Sequence, residues 1–184
     1  MLYIIVALKA EAQAFIDRYK LSKSTINEYK IFQNSSIILI ISGIGIENSM
    51  RATQALINQY DITDDDIYLN IGICGASKQY EIGELLLIDE IEYNDKHYKL
   101  KSETQHIIKC IDFEAESAVA DIVDMESYGF YEAVYHSPAI KNLYVLKIVS
   151  DHFEPKKVTK DKAKSLIFNK IDDINAIINF KEIT

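Results

Sequence analysis

A strand that passes directly into a helix, and does so twice in the N-terminal third, leaves few folds open to this chain. Leu2 to Leu8 is an apolar, β-rich run, followed at once by Ala10 to Tyr19, where Ala12, Phe15, Ile16 and Tyr19 recur at helical spacing. Ile37 to Ser42 then reads as a buried strand, Gly43-Ile44-Gly45 as a tight turn, and Ile46 to Tyr60 as a helix with Ile46, Met50, Thr53, Leu56, Ile57 and Tyr60 on one face. Ile67 to Ile71 and Glu84 to Glu92 are further expected strands. The second carries four consecutive apolar residues, Leu85 to Ile88, as in a strand covered on both faces. Between Tyr93 and Val123 the pattern weakens, with Ile107 to Phe113 and Val119 to Val123 as candidate short strands. Met125 to His136 fits a helix and Leu143 to Val149 a strong strand. Thr159 to Phe180 reads as a closing amphipathic helix, with Leu166, Ile167, Ile171, Ile174 and Ile178 on its stripe. This alternation predicts an α/β layered fold with a largely parallel sheet, its sites lying where strand C-termini meet the loops.

At 184 residues the chain fits a single domain, residues 1–184, with one sizeable core. Apolar types make up 48% and charged types 26%, and 2 Pro and 6 Gly leave no room for low-complexity linkers, so disordered and fibrous classes are excluded. Lys plus Arg number 20 against 28 Asp plus Glu, a net charge of −8, and no basic run could neutralise phosphates along a duplex. Nucleic acid is therefore not an expected partner. Apolar stretches such as Ile37 to Ile41 fall far short of the roughly 18 to 20 residues of a membrane span, and Met1 leads into Leu2, Tyr3 and Ile4 without a basic segment. The expectation is a soluble, cytoplasmic protein with no membrane partner. Cys74 and Cys110 are too few and unpatterned for a disulfide scaffold or zinc site, and read as small apolar residues. His97, His106, His136 and His152 lack metal-ligand spacing, so no metal is expected. Asp64-Asp65-Asp66 reads as a solvated turn, and Tyr128, Tyr131 and Tyr135 as core or subunit-interface packing.

Three carboxylates fall at strand ends or helix starts. Glu11 follows the first strand, Glu126 opens a helix after a short strand, and Asp151 lies just beyond Val149. Such positions can converge on one crevice, although each taken singly reads first as a stabiliser of a helix dipole. Gly72-Ile73-Cys74-Gly75-Ala76 follows another strand, where small residues serve a tight turn or a close approach to a ligand. Gly43-x-Gly45 lacks a third glycine, and no Gly-Lys-Ser/Thr is present, so a phosphate loop is not indicated.

In combination and in order, these segments resemble the nucleoside phosphorylase and nucleosidase superfamily, especially the methylthioadenosine/S-adenosylhomocysteine nucleosidases. Ile4 to Glu11 is similar to the family's first strand and catalytic glutamate, and Ser42-Gly43-Ile44-Gly45 to its Ser-Gly-Ile-Gly segment. Asn70 to Ala76 resembles its glycine-rich purine-side loop, and Ile82-Gly83-Glu84 its Val-Gly-Asp strand start. Asp124-Met125-Glu126-Ser127 is similar to the Met-Glu motif, and Val149-Ser150-Asp151 to the Ser-Asp motif. The chain is shorter than typical members, with the deficit between Tyr93 and Val123.

The resemblance implies a three-layer α/β/α sandwich with a mixed, largely parallel central sheet, and hydrolysis of a purine nucleoside to free base and ribosyl product without a cofactor. It assigns Asp151 as the acid that protonates purine N7, held protonated by burial, with Ser150 positioning it. Glu11 would orient and activate water. Glu126 would accept the ribose 2′ and 3′ hydroxyls beside Met125; Ile73, Cys74 and Gly75 would line the base, with Phe113 as its aromatic wall. A homo-oligomer, in the simplest case a dimer, is implied as well. Two alternatives stand beside this reading. Purine nucleoside phosphorylases of the superfamily carry Arg-x-Gly-Ser where this chain has Asn70-Ile71-Gly72-Ile73, so the donors for phosphate are missing, although His152 and Cys74 look phosphorylase-like. The other alternative is a catalytically degenerate nucleoside-binding protein.

Overall fold

The N-terminal apolar run forms β1 (Leu2–Val6), buried along its whole length because helices cover both of its faces. Leu2, Ile4 and Val6 share a core with Ala12 and Phe15 of α1 (Lys9–Tyr19), while Tyr3 and Ile5 share one with Ala52 and Leu56 of α2 (Ile46–Gln59). The computed structural model describes residues 1–100, 102 and 104–181. On the α1 side lie also α4 (Lys160–Phe168) and α5 (Ile171–Ile177); on the α2 side lies α3 (Ser127–Tyr135). The result is three layers, helices on both faces of a mixed sheet.

The centre of the sheet is parallel. β4 (Ile37–Ile41), β1, β5 (Ile67–Ala76) and β11 (Asn142–Asp151) follow one another, with Ile5 of β1 between Ile40 of β4 and Asn70 of β5. Antiparallel strands extend the margins: the hairpin of β2 (Ser22–Ile26) and β3 (Tyr29–Gln33) adds to β4, and β6 (Leu85–Leu87) adds to β11. A second wing runs through β10 (Ile122–Asp124), β9 (Ile107–Cys110), β7 (Glu90–Tyr93) and β8 (Lys96–Lys99). β11 occupies one edge of β5 as far as Gly75, so β1 and β10 share the other edge. β1 pairs with Ile67–Asn70, and β10 takes over at Gly75 and Ala76. Between the end of β1 and the end of β10, which runs antiparallel to β5, the sheet parts, and this seam is where a cavity can open.

Several elements differ from the sequence pattern, each for a local reason. Gly72 to Ala76 is the continuation of β5, not a turn. Gly72 is small because a Cβ there would lie 2.9 Å from Glu11 Oε1. The run Glu84 to Glu92 is two strands because the chain changes partners: Ile88 N donates to Val145 O, whereas Asp89 N donates to His106 O. Thr159 to Phe180 is two helices. The break at Asn169 and Lys170 keeps Ile167, Ile171 and Ile174 on one buried stripe, so periodicity passes over it unmarked. Nor is the Asp64–Asp66 run wholly solvated: Asp66 is buried and binds the Met1 ammonium at 2.8 Å. Both cysteines are free and buried. Tyr128 stacks on Tyr93 and Tyr131 on Tyr135, with Tyr98 tilted between Tyr128 and Tyr131. Among the described residues no helix is long and apolar enough to cross a membrane.

Candidate active site

The seam holds a cavity of about 670 Å³, lined among others by Leu8, Glu11, Ile44, Ile73, Cys74, Gly75, Asp124, Met125, Glu126, Ser150 and Asp151. Eight of the nine residues expected at a site from sequence are therefore brought together here. Phe113 is the exception: its side chain is 82% exposed and it does not line the cavity. It lies between β9 and β10, where no regular element orients it, so the expectation of an aromatic wall from Phe113 is not met. The buried ring near Asp151 is Phe153, whose Cδ1 is 3.7 Å from where a Gly75 Cβ would lie, though Phe153 does not line the cavity either.

Glu11 enters as the third residue of α1, and its carboxylate bends back over the strand ends. Oε2 accepts from Ala7 N at 3.0 Å and Leu8 N at 2.8 Å, and Oε1 accepts from Ile73 N at 3.0 Å. Burial raises its pKa, against the pull of these N–H groups and of Lys147. Glu11 is thus placed both to stabilise the start of α1 and to line the cavity.

Glu126 caps the start of α3, and its Oε1 accepts from Gly45 N at 2.9 Å. Gly45 sits at φ 101°, a conformation that favours glycine, and this aims its N–H across the seam. Burial foremost, then the neighbouring Asp124 charge, pushes the Glu126 pKa up to about 7, opposed by Lys147 and the Gly45 N–H.

Two residues of this centre were missed in the sequence. Asp124 ends β10 and accepts from Ser127 N at 2.8 Å and Ser127 Oγ at 2.6 Å, and it pairs with Lys147 Nζ at 2.8 Å with both side chains 1% exposed. Lys147 stands mid-strand in β11 opposite Gly72. Burial alone would lower its pKa, but Asp124, Glu126 and Glu11 outweigh that and hold it at about 12. The sequence did carry a signal: a lysine interrupting the apolar run Leu143 to Val149 has to find buried carboxylates.

Asp151 is delivered by an irregularity. The register of β11 against β5 shifts between Val149 and Asp151, so Ser150 is the extra residue of a bulge. Asp151 Oδ1 accepts from Glu154 N at 2.7 Å, and Oδ2 lies 2.7 Å from Ser150 Oγ, which is also 3.0 Å from Cys74 O. One hydroxyl proton serves one acceptor at a time. An ionised Asp151 takes it; a protonated Asp151 donates to Ser150 Oγ, which then donates to the Cys74 carbonyl. The pair accommodates both protonation states without movement. Cys74 itself is buried with its thiol pKa raised by desolvation, which makes it an inert wall.

No protein-family model matches this sequence, and no curated protein matches it. Solved structures do. The methylthioadenosine nucleosidase of Arabidopsis thaliana in apo form superposes with a TM-score of 0.78 at 17% identity, over 98% of this chain and 96% of that one. A 5′-methylthioadenosine/S-adenosylhomocysteine nucleosidase of Helicobacter pylori gives 0.78 at 13% identity, over 97% of both chains. The Neisseria meningitidis enzyme in complex with methylthio-immucillin-A gives 0.75 at 14% identity, over 97% of this chain and 99% of that one. The fold is therefore that of the nucleosidases, a mixed sheet with helices on both sides.

Proposed function

We propose that this protein hydrolyses the N-glycosidic bond of a purine nucleoside of the methylthioadenosine/S-adenosylhomocysteine type. The observation that carries the reading is the meeting of Glu11, Glu126 and Asp151, from three distant segments, on one cavity at the parting of the sheet. Glycoside cleavage needs an acid at the leaving group and a carboxylate for water, around a cationic sugar-like transition state. Asp151 gives its proton to purine N7 as the C1′–N9 bond breaks and its electron pair passes to the base. Ser150 holds the acid in place. Water adds to C1′ and yields a proton to Glu11, whose buried carboxyl accepts one more readily than an exposed carboxylate does. Glu126, with Met125 beside it, takes the ribose 2′ and 3′ hydroxyls.

Phosphorolysis is disfavoured by the same geometry. A phosphate dianion needs free cationic and hydroxyl donors. Lys147 is committed to Asp124, the Ile73 N–H to Glu11 and the Gly45 N–H to Glu126. The small-molecule substrate requires no nucleic acid or membrane partner. We read the protein as cytoplasmic and acting as one domain, and as a homo-oligomer, in the simplest case a dimer, with the 67% exposed Tyr135 at the end of the tyrosine stack as contact. Light scattering during size-exclusion chromatography tests this; a monomer at micromolar concentration overturns it. Activity is tested by chromatography of methylthioadenosine, S-adenosylhomocysteine, adenosine and inosine after incubation with and without phosphate. Base release in both buffers supports hydrolysis. Release only with phosphate, forming a sugar 1-phosphate, establishes phosphorolysis instead, and no release in either makes the protein a binder.

A further inference from the structure

The carboxyl read as the acid stands on backbone that a regular strand does not supply. Ser150 has no Cα partner in β5 and is 1% exposed, so its carbonyl is out of water and out of the ladder that its neighbours keep. Two residues past Asp151, the buried Phe153 sits at φ 60°, a left-handed conformation that bulky side chains rarely adopt and that persists only where the surroundings impose it. The same turn brings Glu154 N to 2.7 Å from Asp151 Oδ1.

The anchor comes from α4. Lys162 Nζ donates to Ser150 O at 2.8 Å. Lys162 is the third residue of α4, in the turn where the helix dipole works against a cation, and its own backbone N–H is capped by Thr159 Oγ. Docking of the helix does not need this ammonium: Ala163 and Ile167 are buried, and Lys164 pairs with Asp17 of α1 at 2.6 Å. What the half-buried Lys162 adds is a charge-assisted bond to the one carbonyl that precedes Asp151. Nor is it the counter-charge of the acid, because the Asp151 oxygens are engaged by Ser150 Oγ and Glu154 N. Ser150 is thus held twice, by its hydroxyl at Cys74 O and by its carbonyl at Lys162. Resting on the nucleosidase reading above, we propose that Lys162 is a positioning residue for that reaction, its ammonium fixing the Ser150 carbonyl and, through the bulge, the direction in which Asp151 presents its carboxyl to the purine.

The test compares Lys162→Met and Lys162→Arg with wild type, by initial rates of base release from the purine nucleosides named above and by urea unfolding. Lys162→Met removes the donor and keeps an aliphatic stem. Its kcat should fall by about tenfold or more, since misplacing a catalytic group by about 1 Å can cost about 10²-fold, while KM stays within about twofold and the unfolding midpoint near that of wild type. Lys162→Arg restores a charged donor and should recover most of the rate. In an Asp151→Ala background, which has no carboxyl to place, Lys162→Met should change the residual rate by less than about twofold. A role in helix packing alone would slow both backgrounds alike. An unchanged kcat in Lys162→Met, an arginine variant as slow as the methionine one, or equal losses with and without Asp151 overturns the proposal. If wild type releases base from no nucleoside, the hydrolytic reading fails separately, and crystal structures of wild type and Lys162→Met decide this one. An Asp151 carboxyl drawn away from the Glu154 N–H in the variant supports the anchoring; a carboxyl left in place overturns it.

Discussion

The two walls of the cavity are built by opposite means. On one side Glu11, Asp124, Glu126, Ser150 and Asp151 are buried at strand ends or helix starts, backed by Lys147 from the middle of β11, each with a hydrogen bond or ion pair. On the other, Ile111, Glu114 and Ala115 come from the segment between β9 and β10, where Phe113 and Val119 are 82% and 52% exposed. That segment is tied across the mouth by Glu116 and Lys156 at 2.6 Å, an exposed pair of the kind worth about 0–1 kcal/mol. Chemistry is thus assigned to the wall whose geometry is over-determined, and enclosure to the one that can adapt. Changes to the first wall should alter catalysis or folding outright, while changes to the second should barely register in stability.

Asp151→Asn is the sharpest break. It keeps the size of the side chain and removes the transferable proton, so turnover should fall by about 10²–10⁴-fold while nucleoside binding persists. Single-turnover rates together with a binding titration check it; equal rates for variant and wild type remove Asp151 from the role of acid. Lys147→Met comes next and acts on folding. It leaves Asp124 buried without its counter-charge, and loss of one partner of such a pair costs about 3–5 kcal/mol. Urea unfolding should show that loss, and adding Asp124→Asn should recover most of it. A single variant as stable as wild type would mean the pair contributes nothing to the rigid wall.

Glu126 links the charge cluster to pH. Its pKa is about 7 in the folded protein against an ordinary value of 4.5, so the folded state binds this proton more tightly than the unfolded chain does. The stabilisation is complete below pH 4.5 and is lost as pH rises through 7. Glu126→Gln keeps an acceptor for the Gly45 N–H and carries no charge at any pH. Above pH 7 it should therefore exceed wild type in stability by up to about 3 kcal/mol, with no advantage at acid pH. Unfolding curves on both sides of that range decide it. A constant difference between the two proteins would disconnect Glu126 from the titration.

The same contrast explains what the sequence disclosed. Carboxylates near strand ends were legible because β1 and β11 have apolar cores that locate the strands, and with them Glu11 just beyond β1 and Asp151 at the end of β11, whereas the end of β5 was misread because Gly72 to Ala76 looks like a turn. The apolar stripe of Thr159 to Phe180 was equally legible, yet its break was not, because Ile167 and Ile171 stay buried on either side of it. Hairpin β2–β3 was overlooked because Ser22 to Ile26 is polar: the strand has an exposed face and is set by pairing with β3. Lys147 was passed over as one polar residue in an apolar run, since its partner Asp124 is near it only through the sheet. Phe113 was misplaced for the converse reason. A motif can assign a residue, but the direction of its side chain needs a neighbouring element, and between Cys110 and Ile122 there is none.

Phe113 therefore carries the smallest expected effect and the most direct check on the adaptable wall. With a ring 82% exposed and outside the cavity, Phe113→Ala should change unfolding free energy by less than about 0.5 kcal/mol. It should also leave KM within about twofold, because a ring that does not stack on the base contributes no stacking energy. The alternative is specific: if the segment closes over substrate and lays the ring on the base, its removal forfeits about 1–3 kcal/mol of stacking and KM rises by tenfold or more with stability unchanged. Steady-state kinetics beside a denaturation curve separates the two. A large KM effect without a stability effect would show that the loosely held wall is ordered by the substrate and that the rigid wall alone does not define the site.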